Sequence, residues 1–395
     1  MSEWKTQPLS DLADIVTGAT PAAAQTDSWG DEVDFITPSD QKDNQREAQA
    51  ARRLSSVGAR RLAKRIVPAR STNLTCIGST IGKVSMTQSA AVTNQQINSI
   101  IARRPVSDPD FIYYLIKNWS GSLKDHASGS ATPIINKSVL SKFEFLVPPV
   151  NEQRAIAEVL GALDDKIAAN TKLATSIAEL ATMHFSRVNQ DADQTVLLSK
   201  LVATQYGVTT SAHAEPGPRF LRVTDINKKP WIEWDSTPNC TVSDAELAKY
   251  RVSPGDMLVA RMADPGKAAF IDSGDPEAVF ASYLVRLKPH DPVQALYLYY
   301  FLRSPQYLEY AEGAMTGSVQ KNMNAKVIVA TDVALPGHDI LVGFNETVGP
   351  LRALIQSFLN ENRKLTATRD ALLPHLMSGK LRVRDAEKVL EDAGV

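Results

Sequence analysis

Two segments of this 395-residue chain repeat one another at an offset of roughly 184 to 188 positions. Gly82-Lys83 aligns with Gly266-Lys267, residues 101–105 (IARRP) with 285–289 (VRLKP), and 111–118 (FIYYLIKN) with 297–304 (YLYYFLRS). Residues 128–130 (SGS) align with 316–318 (TGS), and 145–148 (FLVP) with 333–336 (VALP). Each copy then runs into a heptad-spaced segment. Solenoid units are about 20 to 50 residues long, so a period this large marks a duplicated domain. Duplication implies a pseudo-two-fold object suited to a partner with two comparable halves, of which duplex DNA with a split target is one.

The first copy, residues 1–150, predicts strands at 34–37, 73–77, 96–102 and 143–147, with a short amphipathic helix at 109–119. Mixed strands and short helices without βαβ regularity indicate an α+β domain. At Asn151 the period changes. Asn151 is a good N-cap and Glu152 complements the helix dipole. Apolar or small residues then recur at Ile156, Leu160, Leu163, Ile167, Ala174, Ile177 and Ala181, interrupted by Asn170. This is a heptad seam, and one Asn on such a seam is a device for fixing register. Helix is expected over 151–188, where about 36 residues would span roughly 54 Å. The second copy follows at 195–338. A second heptad run over 339–381 carries Asn362 on its seam, with a tail at 382–395. Pro350 predicts a break in that run and Pro374 its end or a kink. Matched seams with one Asn each predict an antiparallel helix pair, a stalk between two similar domains.

The formal net charge is −1, but its distribution is uneven: Asp and Glu are absent from 48–107, which holds Arg52, Arg53, Arg60, Arg61, Lys64, Arg65, Arg70, Lys83, Arg103 and Arg104. A basic stretch of this kind suits phosphate contact, or else a solvated face or a dock for an acidic protein. The second copy has no counterpart. Cys76 and Cys240 do not match in the repeat and suit a reducing compartment, with neither disulfide framework nor zinc site. No apolar run approaches the ~20 residues of a membrane span and the opening residues are polar, so a cytoplasmic chain is expected.

Motifs for catalysis are missing. Residues 78–84 (GSTIGKV) fall one residue short of a phosphate-binding loop and lack the Ser or Thr after Lys. The six histidines (His126, His184, His213, His290, His338 and His375) are scattered without i,i+4 pairs. A binding module that borrows catalysis from partners is the expectation.

Residues 147–170 (VPPVNEQRAIAEVLGALDDKIAAN) closely resemble the first conserved helical region of specificity subunits in type I restriction–modification systems, and 360–381 (NENRKLTATRDALLPHLMSGKL) resemble the second. Residues 17–40 and 78–95 resemble blocks of that family's target-recognition domains, while 205–210 (QYGVTT) and 222–225 (RVTD) match loosely. The resemblance implies a non-catalytic subunit with two recognition domains, each taking one half of a bipartite DNA target. It implies two methyltransferase subunits using S-adenosylmethionine and, in the restriction complex, two ATP- and Mg-dependent restriction/translocase subunits, with none of these cofactors bound by this chain. The helices would set the spacer and dock the methyltransferases. Readers held roughly 35–55 Å apart would span about 10 to 16 base pairs. The rival expectations are a self-contained enzyme acting on DNA, a coiled-coil protein-binding scaffold, and the specificity subunit of a methyltransferase-only or related DNA-modifying system.

The candidate DNA-contacting residues are Arg70, Thr80, Lys83, Asn94, Gln95 and Gln96 in the first copy and Arg222, Arg261 and Lys267 in the second. Lys beside a turn glycine suits a phosphate, and Asn and Gln suit adenine edges. The helical candidates for subunit docking are Glu152, Gln153, Arg154, Asp164, Lys166, Asn170, Asn362, Lys364 and Arg369.

Overall fold

The computed structural model describes residues 4–42, 45–123, 134–315 and 322–392, and side chains as far as 388. The repeat match of 128–130 with 316–318, and His126, lie outside them. The chain divides into two units, Met1–Lys172 with Phe358–Val395, and Leu173–Ser357.

In the first unit an antiparallel sheet runs in the order Ala13–Thr17, Ile97–Ala102, Thr72–Thr75, Val84–Met86. A second sheet orders Trp29–Gly30, Arg52–Leu54, Val33–Ile36 and Ala91–Thr93, the last pair being parallel. Lys5–Pro8 pairs with Glu144–Val147, the strand stopped by Pro148-Pro149. The helix Pro109–Ser120 starts on an Asp108 cap with Pro at its first position, and Phe111 through Ile116 are buried. Four of the expected strands and this helix are present within a few residues of their predicted ends. The short strands 52–54, 84–86 and 91–93 carried no readable alternation.

The second unit repeats this plan strand for strand. Its antiparallel sheet orders Val202–Tyr206, Leu284–Pro289, Met257–Ala260, Ala268–Phe270, and its mixed sheet Ala212–His213, Asn239–Cys240, Arg219–Leu221, Ala278–Phe280. Gln194–Leu197 pairs with Asp332–Leu335. The buried helix Ala295–Leu302 stands where Pro109–Ser120 stands in the first.

The two heptad segments are helices over Val150–Gln190 and His338–Met377. Within the first unit Ile156, Leu160, Leu163 and Ile167 share one core with Leu365, Leu372 and Leu376. Asp164 meets Arg369, and the Asn170 amide Nδ2 donates to Asn362 Oδ1 at 3.0 Å, so numbers rise on one helix as they fall on the other. The pairing is antiparallel, and the two seam asparagines face each other. Within the second unit Phe185 and His184 pack on Phe344. There the seam shifts slightly, with Ala178 buried where Ile177 was expected to point inward.

The expected break at Pro350 is absent: the helix runs through both Pro350 and Pro374. Both prolines and the residues four before them, Glu346 and Asp370, are exposed, so water can satisfy the carbonyls that lose an N–H partner. The stop comes at Gly379, whose φ of 68° provides the left-handed residue that closes a helix. Among the described residues no helix is long and apolar enough to cross a membrane.

Candidate nucleic-acid interface

Strand register decides which candidate residues lie together. In the first unit Thr17 pairs with Asn98, Thr75 with Ile97 and Leu74 with Val84 at one end of the antiparallel sheet. The turns after Thr17, before Ile97 and between the strands 72–75 and 84–86 therefore emerge on the same side. The parallel pair brings a fourth loop there, since Ile36 pairs with Thr93 and Asn94 N–H donates to the Ile36 carbonyl at 2.9 Å.

This corner is tightly built. A Cβ on Gly18 would lie 2.2 Å from the carbonyl oxygens of Thr93 and Asn94, so only glycine fits. The Thr20 hydroxyl donates to Gln95 Oε1 at 2.5 Å. Asn94, nearly buried, accepts the Gln96 N–H on Oδ1 and donates to Gln96 Oε1 at 3.1 Å. Asn94 thus positions Gln96, and the outward amide groups are those of Gln95 and Gln96. Gly78 and Gly82 have φ of 89° and 91°, which shapes the turn carrying Thr80. Lys83 donates to the carbonyls of Gln41 (3.1 Å) and Pro38 (3.4 Å), tying that turn to the loop after Ile36. Asp40 caps the loop by accepting from the N–H and hydroxyl of Thr37. A cleft of about 500 Å³ opens beside it, lined by Gln41, Lys42, Thr80, Lys83, Lys117 and Arg369 among others.

Arg70 lies apart from this corner. It sits at the opposite end of the sheet, where Thr72 pairs with Met86, and its guanidinium is bonded to Asp110. The basic stretch as a whole is far less charged in space than in sequence. Arg53 pairs with Asp34, Arg61 with Asp27 and Arg103 with Asp14, and Arg52 lies 3.4 Å from the centroid of the Trp29 ring. Asp14 is held below the ordinary carboxylate range by its hydrogen bond from Arg103. Arg65, absent from the candidate set, does reach the corner: it donates to the Thr17 carbonyl at 2.9 Å while remaining exposed.

The second unit builds the same corner from other side chains. Gly207 takes the place of Gly18, with a Cβ 2.2 Å from the Phe280 carbonyl, and Val208 N–H donates to that oxygen at 2.9 Å. Arg261 N–H donates to the Tyr283 carbonyl at 3.0 Å, as Cys76 N–H does to that of Gln96 at 2.8 Å. Residues 281–283 (ASY) therefore stand where 94–96 (NQQ) stand in the first unit. Tyr283 is 56% exposed and Tyr206 42%. Neither was singled out from sequence, because an isolated tyrosine carries no periodic signal. Lys267 is half-exposed beside Gly266, whose φ is 87°. Arg222 is held locally: Asp225 accepts from its backbone N–H and from its guanidinium at 2.8–2.9 Å, making it a helix cap.

The docking candidates divide by burial. Gln153 donates to the Pro148 carbonyl and accepts the Asp108 N–H; Asp164 and Arg369 pair with each other; Asn170 and Asn362 occupy the seam. These five take part in the first unit's own packing. Arg154, Lys166 and Lys364 are exposed, Lys166 lying 3.5 Å from Glu361, and Glu152 accepts from the Trp4 indole. Burial pushes the Cys76 thiol up to about 11, and Cys240 is raised for the same reason, which suits inert core thiols. Among the described residues no group of three or more His, Cys, Asp or Glu could hold a metal ion.

Residues 1–179 match the family model described as the type I restriction modification DNA specificity domain. Over 413 residues the chain is 23% identical to the type I restriction enzyme MjaIX specificity subunit of Methanocaldococcus jannaschii, covering 97% of this chain and 94% of that protein. Along most of its length the chain is thus similar to type I specificity subunits. A further specificity subunit, that of the type I restriction enzyme HindI of Haemophilus influenzae, is 41% identical over 148 residues, or 37% of this chain and 32% of that subunit. The chain thus spans about a third of that relative's length. The crystal structure of the type I restriction–modification system S subunit from M. genitalium shares the fold of this chain, with a TM-score of 0.56 at 14% identity, covering 95% of this chain and 96% of that one.

Proposed function

We propose that this chain reads the two halves of a split DNA target, one with each unit, and carries that specificity to methyltransferase subunits. The observation that bears most weight is the doubled corner. Two copies of one strand plan present loops from the same positions, held by the same glycine contacts, yet furnished with different side chains. A shared frame with exchanged readers is what recognition of two unlike half-sites requires, since base edges differ in donor and acceptor pattern while the backbone to be gripped does not. The exposed helix residues Arg154, Lys166 and Lys364 are available to partners. In this reading S-adenosylmethionine, ATP and Mg act on methyltransferase and restriction/translocase subunits, two of each, and none is held by this chain.

The test is the methylome of a host expressing this chain with its methyltransferase, read by single-molecule sequencing. Modified adenines in a split motif that vanish when the chain is deleted are expected, and exchange of residues 1–150 should alter one half-site only. An active methyltransferase leaving no such motif would return the chain to the class of coiled-coil scaffolds.

A further inference from the structure

We propose that Arg261 reads a guanine in the half-site taken by the second unit. This inference rests on the DNA-reading function proposed above and adds the identity of one base.

The second recognition domain holds six arginines, and among the described residues five have an acceptor. Arg222 is bonded to Asp225, Arg251 to Glu277 and Arg286 to Asp256, while Arg219 donates to the Thr237 carbonyl and Arg303 to that of Ala268. Arg261 alone has neither a carboxylate nor a carbonyl of the described residues on its guanidinium. Its Nε is buried without a hydrogen-bond partner. That buried Nε is closed to solvent, so the donors left to meet an acceptor supplied from outside are the Nη groups of this half-buried side chain.

Its placement is rigid. The backbone N–H donates to the Tyr283 carbonyl at 3.0 Å, and the carbonyl accepts the Met323 N–H at 2.9 Å. The guanidinium carbon lies 5.0 Å from the centroid of the Tyr206 ring, within cation–π range. That ring is itself pinned, its hydroxyl accepting the Ala325 N–H at 2.9 Å. Tyr206 therefore orients the guanidinium with a face that does not consume its N–H donors. Exposed Tyr283 stands beside it.

The repeat supplies the comparison. Cys76 occupies the equivalent backbone position in the first unit, 1% exposed and uncharged. There the outward donors are the carboxamides of Gln95 and Gln96. Guanidinium presents paired donors in a fixed fork that match the O6 and N7 acceptors of guanine, whereas carboxamides match the donor–acceptor edge of adenine. The two corners thus differ in the base that their chemistry fits.

The test uses the full chain assembled with its methyltransferase, and compares methylated-site motifs for the wild type, Arg261→Gln and Arg261→Lys. The wild-type motif should hold a guanine at a fixed position of one half-site. Arg261→Gln should relax preference there by about 10- to 100-fold, with the other half-site and the spacer unchanged. Arg261→Lys should not restore it, because an ammonium lacks the fork. Should Arg261→Gln fail to assemble, Arg261→Lys, which keeps the stem and charge, carries the same reading. The proposal is overturned if the responding position is not guanine, if the motif is unchanged, or if all positions weaken evenly as a phosphate contact would make them. Absence of any split motif in the wild type would instead overturn the function itself.

Discussion

Asp275 is a single carboxyl whose surroundings set the acid response of the second unit. Burial, reinforced by the nearby Asp272 carboxylate, raises it to about 6, against opposing hydrogen bonds from the Asp272 N–H and the Trp234 indole. Arg352, bonded to Asp272, offsets part of that repulsion. A folded-state value above the ordinary 3.8 means that the folded chain holds this proton more tightly than the unfolded chain does. Stability from this group is full below about pH 4 and is lost as pH rises to about 6, a change on the order of 2 kcal/mol. Urea unfolding across that window should show the slope, and Asp275→Asn should flatten it. An unchanged slope would mean that Asp275 is an ordinary surface carboxylate. None of this is visible around Asp275 in the sequence, because Trp234 stands some forty positions away and Arg352 nearly eighty.

The helices show the same division one scale up. Their seams were readable because burial on one face repeats every three or four residues, and the facing Asn170 and Asn362 followed from matching the two runs. The Asp164–Arg369 pair was not readable, since both residues pass for ordinary surface charges. Both side chains are nearly inaccessible, Asp164 also accepts the Tyr114 hydroxyl at 2.7 Å, and burial near that carboxylate raises Tyr114 well above its ordinary value. Breaking a buried pair leaves the remaining charge without compensation, at a cost of about 3–5 kcal/mol. Arg369→Met should therefore lower stability by that amount in denaturant melts. Asp164→Asn together with Arg369→Met should recover most of it, because Asn still accepts from Tyr114 and carries no charge. Equal losses in the single and double variants would show that the pair is not the cause. Pro350 teaches a related lesson: a residue that interrupts helices in general is accommodated where its orphaned carbonyl faces water.

For the molecule as a whole, the distribution of charge bears on the proposed grip on DNA. The arginines of 48–107 look like a phosphate-binding face, yet Asp27, Asp34, Asp14 and Asp110 return from other parts of the fold to neutralise four of them. DNA affinity should accordingly fall with salt less steeply than the sequence suggests. Arg65→Gln, at the corner, should reduce the slope of log K against log salt by about 1. Arg103→Gln, at the far end and already paired, should leave it unchanged. Measured slopes that respond to Arg103 and not to Arg65 would place the contact surface at the other end of the sheet.

The duplication, the α+β class and the helical seams follow from the sequence by itself, because each is a local or periodic property of neighbouring residues. Which side chains are available to act was decided only by the tertiary structure. Arg70 and Arg222 look as capable as Arg261 in one dimension. They differ because a carboxylate stands against the first two and a tyrosine face against the third, and a cation's partner is chosen by proximity in space.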